Sequence, residues 1–138
     1  MTKTSNYDLN QWDASDRVLR EDFNADNEKI DAALGTIPKI QTGSYVGTGT
    51  YGPSSPNTLT FSFRPQLVII VENGGGQTYS GYFIRGSEVG MTNWIGGSTS
   101  NFSVALTWNN DSVSWYSGNG SEYQLNRSGI TYCYLAIG

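Results

Sequence analysis

Two stretches of this 138-residue chain are apolar on both faces of an extended backbone: Leu67-Val68-Ile69-Ile70-Val71, and Ile130-Thr131-Tyr132-Cys133-Tyr134-Leu135-Ala136-Ile137. Leu67 to Val71, the longest apolar run, is far shorter than the roughly 20 residues a bilayer-spanning helix needs. A strand of this kind is shielded from water only inside a sheet. The two are therefore expected side by side at the centre of one sheet, with Cys133 as a buried, inert thiol.

The rest of the second half supplies shorter strands. Leu59, Phe61 and Phe63 alternate before Pro65 turns the chain. Further strands are expected over residues 79–85 and, more weakly, 90–95. Phe102, Val104, Leu106 and Trp108 alternate into Val113 and Trp115 across Asn109-Asn110-Asp111, residues that tolerate left-handed backbone and so favour a hairpin. By this alternation Trp108 and Trp115 face inward. Asn119-Gly120 marks another turn. Seventeen glycines, nine tyrosines and a charged fraction of only 14% fit about seven short strands in an antiparallel β-sandwich.

One helix is expected before this, over residues 16–34, with Ser15 as N-cap and Gly35 then Pro38 as the stop. Leu19, Phe23, Ile30 and Leu34 form a single narrow stripe, with Asn27 at the heptad-like position between Phe23 and Ile30. A helix of roughly 28 Å with so thin a stripe is marginal alone. Burial against identical copies is the expectation, Asn27 fixing register and strand number. The chain thus reads as mainly β: an attachment segment and coiled-coil-like trimerisation stem over 1–35, a Gly/Pro-rich connector with the first strands over 36–57, and a sandwich head over 58–138.

Charge follows this division. Residues 1–34 hold eight acids and four bases, whereas the remainder balances four of each. Without a basic stripe, nucleic acid is not an expected partner. The single cysteine excludes an intrachain disulfide, and the polar start Met1-Thr2-Lys3-Thr4-Ser5-Asn6 has no apolar signal core, so neither secretion by signal peptide nor membrane insertion is expected.

Absence of histidine removes serine–histidine and cysteine–histidine catalysis and histidine metal sites. Gly47-Thr48-Gly49-Thr50-Tyr51-Gly52 spells a dinucleotide pattern, but Pro53-Ser54-Ser55-Pro56 follows where a helix N-terminus should cradle phosphate. Asp22-x-Asn24-x-Asp26 opens like a calcium loop, yet Asn27 stands at the glycine position and Ala33 at the glutamate position. Carboxylate chemistry in the head would rest on Glu72, Glu88, Asp111 and Glu122, read as surface acids. No catalytic residue, metal or cofactor is expected.

What remains is an aromatic and amide-rich second half. Aromatic faces stack on sugar rings while amides bond their hydroxyls, and the same mixture suits protein-binding loops. The loops at 92–100, 109–111 and 117–122 are the contact candidates, with Trp94, Asn109, Asn110, Asp111, Tyr116 and Tyr123 as ligand-binding residues.

Two stretches carry a resemblance. Asn6-Tyr7-x-Leu9-Asn10-Gln11-Trp12, with Asp22-Phe23-Asn24-Ala25-Asp26-Asn27-Glu28-Lys29-Ile30-Asp31, is similar to the N-terminal region of small tail-fibre and baseplate-associated proteins from phages and prophages of Gram-positive bacteria. Phe61-x-Phe63-x-Pro65-x-Leu67-Val68-Ile69-Ile70 and the ending from Tyr123 to Gly138 resemble the β heads of the same group. The head is also similar to trimeric six-stranded sandwich lectins, but none of its positions matches their sugar-binding residues. The resemblance implies a homotrimeric structural protein of a virion or phage-tail-like particle (a tailocin), made in the bacterial cytoplasm. Its N-terminal part would attach to tail or baseplate proteins, and its head would meet host surface polysaccharide. A joint without receptor binding, and a carboxylate-based depolymerase, are the alternatives.

Overall fold

The computed structural model describes residues 1–74, 78–95 and 100–138, with side chains for all of these except 95, 100 and 101. The chain divides into two compact units, residues 1–38 and 39–138.

The first unit holds a two-stranded ribbon, β1 (Thr2–Lys3) and β2 (Asn10–Gln11), and one helix, α1 (Arg20–Gly35). The helix starts four residues later than expected because the proposed cap is not used. The Asp16 carboxylate accepts the Asp13 N–H at 2.8 Å and pairs with the Met1 ammonium at 2.8 Å, closing a separate turn. That backbone hydrogen bond first, then the ammonium, holds the Asp16 carboxyl below its ordinary value. Leu19 therefore lies outside the helix as an extended N-cap residue whose carbonyl accepts the first helical bond, from Phe23 N–H, at 3.2 Å. The calcium-loop mimic is ordinary helix, and Asp26 Oδ2 accepts the Asn10 N–H at 2.9 Å. No residue of α1 is buried: Phe23, Ile30 and Leu34 are all exposed, as are Leu19 just before it, Tyr7 and Ile37.

The second unit is a single antiparallel sheet of eight strands: β3 (Ile40–Val46), β4 (Asn57–Thr60), β5 (Leu67–Asn73), β6 (Thr78–Ile84), β7 (Val89–Ile95), β8 (Ser100–Trp108), β9 (Ser112–Tyr116) and β10 (Thr131–Ile137). Their order is β3-β10-β5-β6-β7-β8-β9-β4. The expected neighbours are neighbours: Leu135 of β10 lies opposite Ile69 of β5, and Ala136 opposite Val68. Part of the stretch read as connector is the edge strand β3, paired along its whole length with β10, so the compact unit begins at Lys39.

The sheet curls until its two halves meet around a common core. Phe83 of β6 lies 5.2 Å from Trp115 of β9, ring to ring, and Tyr45 of β3 lies 6.2 Å from the same indole. Trp115, Tyr132, Phe83, Ile70, Leu125 and Val68 are fully buried, each stabilising the fold by about 1.5–3 kcal/mol. Gly90 makes room for this packing, since a Cβ there would stand 2.5 Å from Phe83 Cδ1. Trp108 is only half-buried. The Arg85 guanidinium lies 4.8 Å from its ring centre, and its indole N–H donates to the Ser87 carbonyl at 3.1 Å.

Two expectations need correction. Cys133 is exposed, because Tyr132, Tyr134 and Ala136 take the inward positions of β10 and Cys133 falls between them. On the same outward face Leu67, Ile69, Leu135 and Ile137 are half-buried and Val71 is exposed, so this side of the central pair is not part of the core.

Candidate functional site

The sheet has two ends. At the proximal end, where the chain joins the head, Lys39 N–H donates to the Gly138 carbonyl at 2.5 Å and Gly138 N–H donates back at 2.9 Å. The turn Asn109-Asn110-Asp111 between β8 and β9 belongs to this end. Arg85 donates to the Asn110 carbonyl at 3.2 Å, and the Asp111 carbonyl accepts Phe61 N–H at 2.8 Å. Trp94, Tyr116 and Tyr123 belong to the opposite, distal end. The six residues singled out from sequence therefore do not form one site.

Their surroundings differ too. Trp94 shares the inward side of β7 with Gly90 and Thr92 and is half-buried against the core, instead of standing free. Tyr123 packs with its ring centre 3.7 Å from that of Phe102 and 6.0 Å from Tyr79, so it closes the distal end of the core. Tyr116 is half-buried on the outward face of β9, opposite Ala105 of β8. Of the loop nominated over 92–100, Thr92–Ile95 completes β7, Ser100 opens β8, and residues 96–99 lie outside the described residues.

The distal end is tied together by one turn. Gln124 N–H donates to the Gly120 carbonyl at 3.2 Å, Leu125 N–H to Glu122 at 3.2 Å, and Asn126 N–H to Ser121 at 2.7 Å. This is the pattern of a helix terminus closed by a left-handed residue, and Leu125 takes that place with φ 58°. A leucine there costs about 1–2 kcal/mol. In return Gln124, Leu125 and Asn126 all face inward, which three consecutive residues of a strand cannot do.

Each spends its polar groups on a different segment. The Gln124 amide oxygen accepts Gly52 N–H at 2.9 Å and Ser117 N–H at 3.0 Å; its nitrogen donates to the Ser55 carbonyl at 2.8 Å and Asn57 Oδ1 at 2.9 Å. Asn126 accepts Thr48 N–H at 3.0 Å and donates to Thr48 Oγ1 at 2.9 Å and the Thr50 carbonyl at 2.8 Å. The Gly-rich stretch 47–52 is thus a loop moulded on two buried amides.

This loop borders a cleft of about 350 Å³ along the seam between β3 and β4, the two edges of the sheet that no ladder joins among the described residues. Gln41 staples the proximal part of the seam, its amide oxygen accepting Ser62 N–H at 3.0 Å. Above it the cleft presents Tyr45, Thr48, Thr50, Asn57 and Thr58, with Trp115 beneath. No charged side chain lines it among the described residues. The Thr48 and Thr50 hydroxyls bond each other at 2.9 Å, and Thr58 Oγ1 bonds Ser114 Oγ at 2.8 Å; the Thr48 hydroxyl is taken up by Thr50 and Asn126, while the Thr50 and Thr58 hydroxyls keep spare capacity. Neutral donors and acceptors beside an apolar floor suit a neutral polyhydroxyl ligand better than an ion. Sequence reading missed Thr48, Thr50 and Thr58, because only the strand order brings the two edges to one seam.

Tyr45 forms the inner wall, its hydroxyl donating to the Leu125 carbonyl at 2.7 Å and its ring stacked 5.2 Å from Tyr132. Burial, then the neighbouring Tyr132, pushes the Tyr45 phenol well above its ordinary value, and burial raises Tyr132 as well. Above about pH 10 the unfolded chain releases these protons while the folded head retains them, so stability falls as pH rises. Urea midpoints measured from about pH 8 to about pH 11 should decline over the upper half of that range, and Tyr45→Phe should flatten the decline. An unchanged slope in the variant would contradict this assignment.

Among the acids, Glu72 is not on the surface. Its side chain is 0% exposed and its Oε1 bonds the Arg127 guanidinium, which also lies 5.3 Å from the centre of the Tyr79 ring. Glu72 and Glu122 both belong to the distal end, Glu88 and Asp111 to the proximal end. Comparison with known protein families, curated proteins and solved structures returns no match for this chain.

Proposed function

We propose that this chain is a structural tail-fibre, receptor-binding protein of a phage or phage-tail-like particle. Three copies associate through Leu19, Phe23, Asn27, Ile30 and Leu34 as a helical stem, residues 1–35 attach to tail or baseplate proteins, and the distal end of each head recognises a host surface glycan. The observation that carries the reading is the seam cleft: uncharged, with the hydroxyls of Thr48, Thr50 and Thr58 beside Tyr45, Val46, Pro56 and Leu59, at the end away from the chain's entrance. The α1 stripe supports the multimer, since Phe23, Ile30 and Leu34 are exposed. Weak single sites suffice in this arrangement, because three held on one particle act at high effective concentration.

Purified protein should decorate Gram-positive cell walls and bind their isolated polysaccharide. Thr58→Arg, which fills the cleft, should weaken binding at least about tenfold, equivalent to roughly 1.4 kcal/mol. Asn110→Ala, at the proximal end, should leave it unchanged. Protein that enters particles but decorates no cell wall is instead a tail or baseplate joint. The depolymerase alternative predicts released reducing ends that vanish on Glu72→Gln or Glu88→Gln; against Glu72 stands its burial beneath Arg127.

A further inference from the structure

Glu72 and Arg127 form a buried ion pair at the distal end, and on stability grounds it is a poor one. The Glu72 side chain is 0% exposed and that of Arg127 29%, so both charges lose hydration on folding. One carboxylate oxygen, Oε1, accepts from the guanidinium, whereas Oε2 is buried with no hydrogen-bond partner among the described residues. Apolar side chains of similar volume commonly serve a core as well as such a pair, or better. What they lack is direction. A guanidinium bonded at its tip to a fixed carboxylate also fixes the backbone from which it grows.

That backbone is the turn 126–130. Arg127 N–H donates to Tyr132 Oη at 3.1 Å, and Tyr132 stands opposite Glu72 in the β5–β10 ladder. Arg127 is thus held twice at one place on the sheet, by its main chain through Tyr132 and by its side chain through Glu72. The turn in its own right carries the loop 47–50. Gly47 N–H donates to the Ile130 carbonyl at 2.7 Å, Gly129 N–H to the Gly47 carbonyl at 2.9 Å, and Gly49 N–H to the Asn126 carbonyl at 2.7 Å. The approach is so close that a Cβ on Gly47 would stand 2.1 Å from the Arg127 carbonyl oxygen. Thr48 and Thr50, on this loop, line the seam cleft; Glu72 and Arg127 do not.

We infer that Glu72 is a positioning residue for the seam cleft: through Arg127 it fixes the 126–130 turn, and through that turn it sets where Thr48 and Thr50 stand. The inference rests on the cleft being the recognition site proposed above and names the buried group that shapes it from outside.

Amide hydrogen exchange, followed residue by residue in the full-length chain by nuclear magnetic resonance, tests this without a ligand. In Glu72→Gln, the N–H groups of Gly47, Thr48 and Gly49 should exchange at least about tenfold faster than in the parent. Those of Gly52 and Ser117, held by the Gln124 amide oxygen, should keep the parent rate. Arg127→Lys, which retains a charge opposite Glu72, should stay within about threefold of the parent at all five. The double variant Glu72→Gln/Arg127→Gln leaves no unpaired charge inside, so it keeps the test open if the single variant does not fold, and it should show the same selective acceleration. Affinity for isolated cell-wall polysaccharide should fall about tenfold in Glu72→Gln, although Glu72 lies outside the cleft. Exchange at Gly47, Thr48 and Gly49 that stays at the parent rate, or that rises together with Gly52 and Ser117, would overturn the inference and leave the cleft reading standing. A parent protein that binds no polysaccharide overturns the cleft reading, and the selective exchange pattern then still decides what Glu72 holds in place.

Discussion

Replacing Gln124 with leucine should cost the head about 3–4 kcal/mol and lower its melting temperature by roughly 15–25 °C. Gln124 is fully buried, and all four of its amide hydrogen bonds reach groups of other residues: two backbone N–H groups, one backbone carbonyl and one side-chain oxygen. Leucine fills a similar volume but leaves those partners without a hydrogen bond in the interior, each at about 1–3 kcal/mol for donors and less for carbonyls. The gain from burying an apolar side chain offsets about 1–2 kcal/mol of this. Gln124→Glu should be at least as damaging, because a carboxylate would confront the Ser55 carbonyl and Asn57 Oδ1, both acceptors. Thermal and urea unfolding of the two variants read the effect directly. A loss below about 1 kcal/mol for Gln124→Leu would mean that the distal loops are held by other means.

Ile30→Asp in α1 should abolish self-association and helix together. The helix has 16 residues, near the length below which isolated helices are marginal in water. It carries five acids (Glu21, Asp22, Asp26, Glu28, Asp31) against two bases (Arg20, Lys29), and no base stands in its last turn to complement the macrodipole. Within residues 1–38 Phe23, Ile30 and Leu34 stay exposed, so under the proposed multimer the stripe gains its stability from sister stripes. Light scattering at micromolar concentration should give the mass of three 15.1 kDa chains for the parent and a much smaller species for Ile30→Asp. Far-ultraviolet circular dichroism should show the helical signal lost while the β signal persists, the head being a separate compact unit. A helical monomer in the parent protein would refute the stem.

The central pair of strands was legible because apolar residues on both faces leave a strand few places to go, and β5 and β10 pair as their composition requires. The inward alternation of Val104, Leu106, Val113 and Trp115 was legible for the same local reason. The start of α1 was not, since Ser15 is a good cap by type but Asp16 engages Asp13 and Met1 in a competing turn. The exposure of Cys133 was hidden by the inference that an apolar outer face must be covered within one chain. The seam was hidden altogether: Tyr45 and Thr58 are brought to one cleft by a strand order that no local pattern encodes. Asn109, Asn110 and Asp111 had the right chemistry for contact, but the hairpin register carries them to the end where the chain enters.

The turn closed by Leu125 separates two jobs that loops often confuse. Ser117, Gly120, Gln124, Leu125 and Asn126 point inward and hold the frame, while Gly118, Asn119, Ser121 and Glu122 are open to solvent in part or in full. Substitutions at the second set leave every anchoring side chain in place. The rim of this turn can therefore change in sequence, through a handful of codon changes, without passing through an unfolded ancestor.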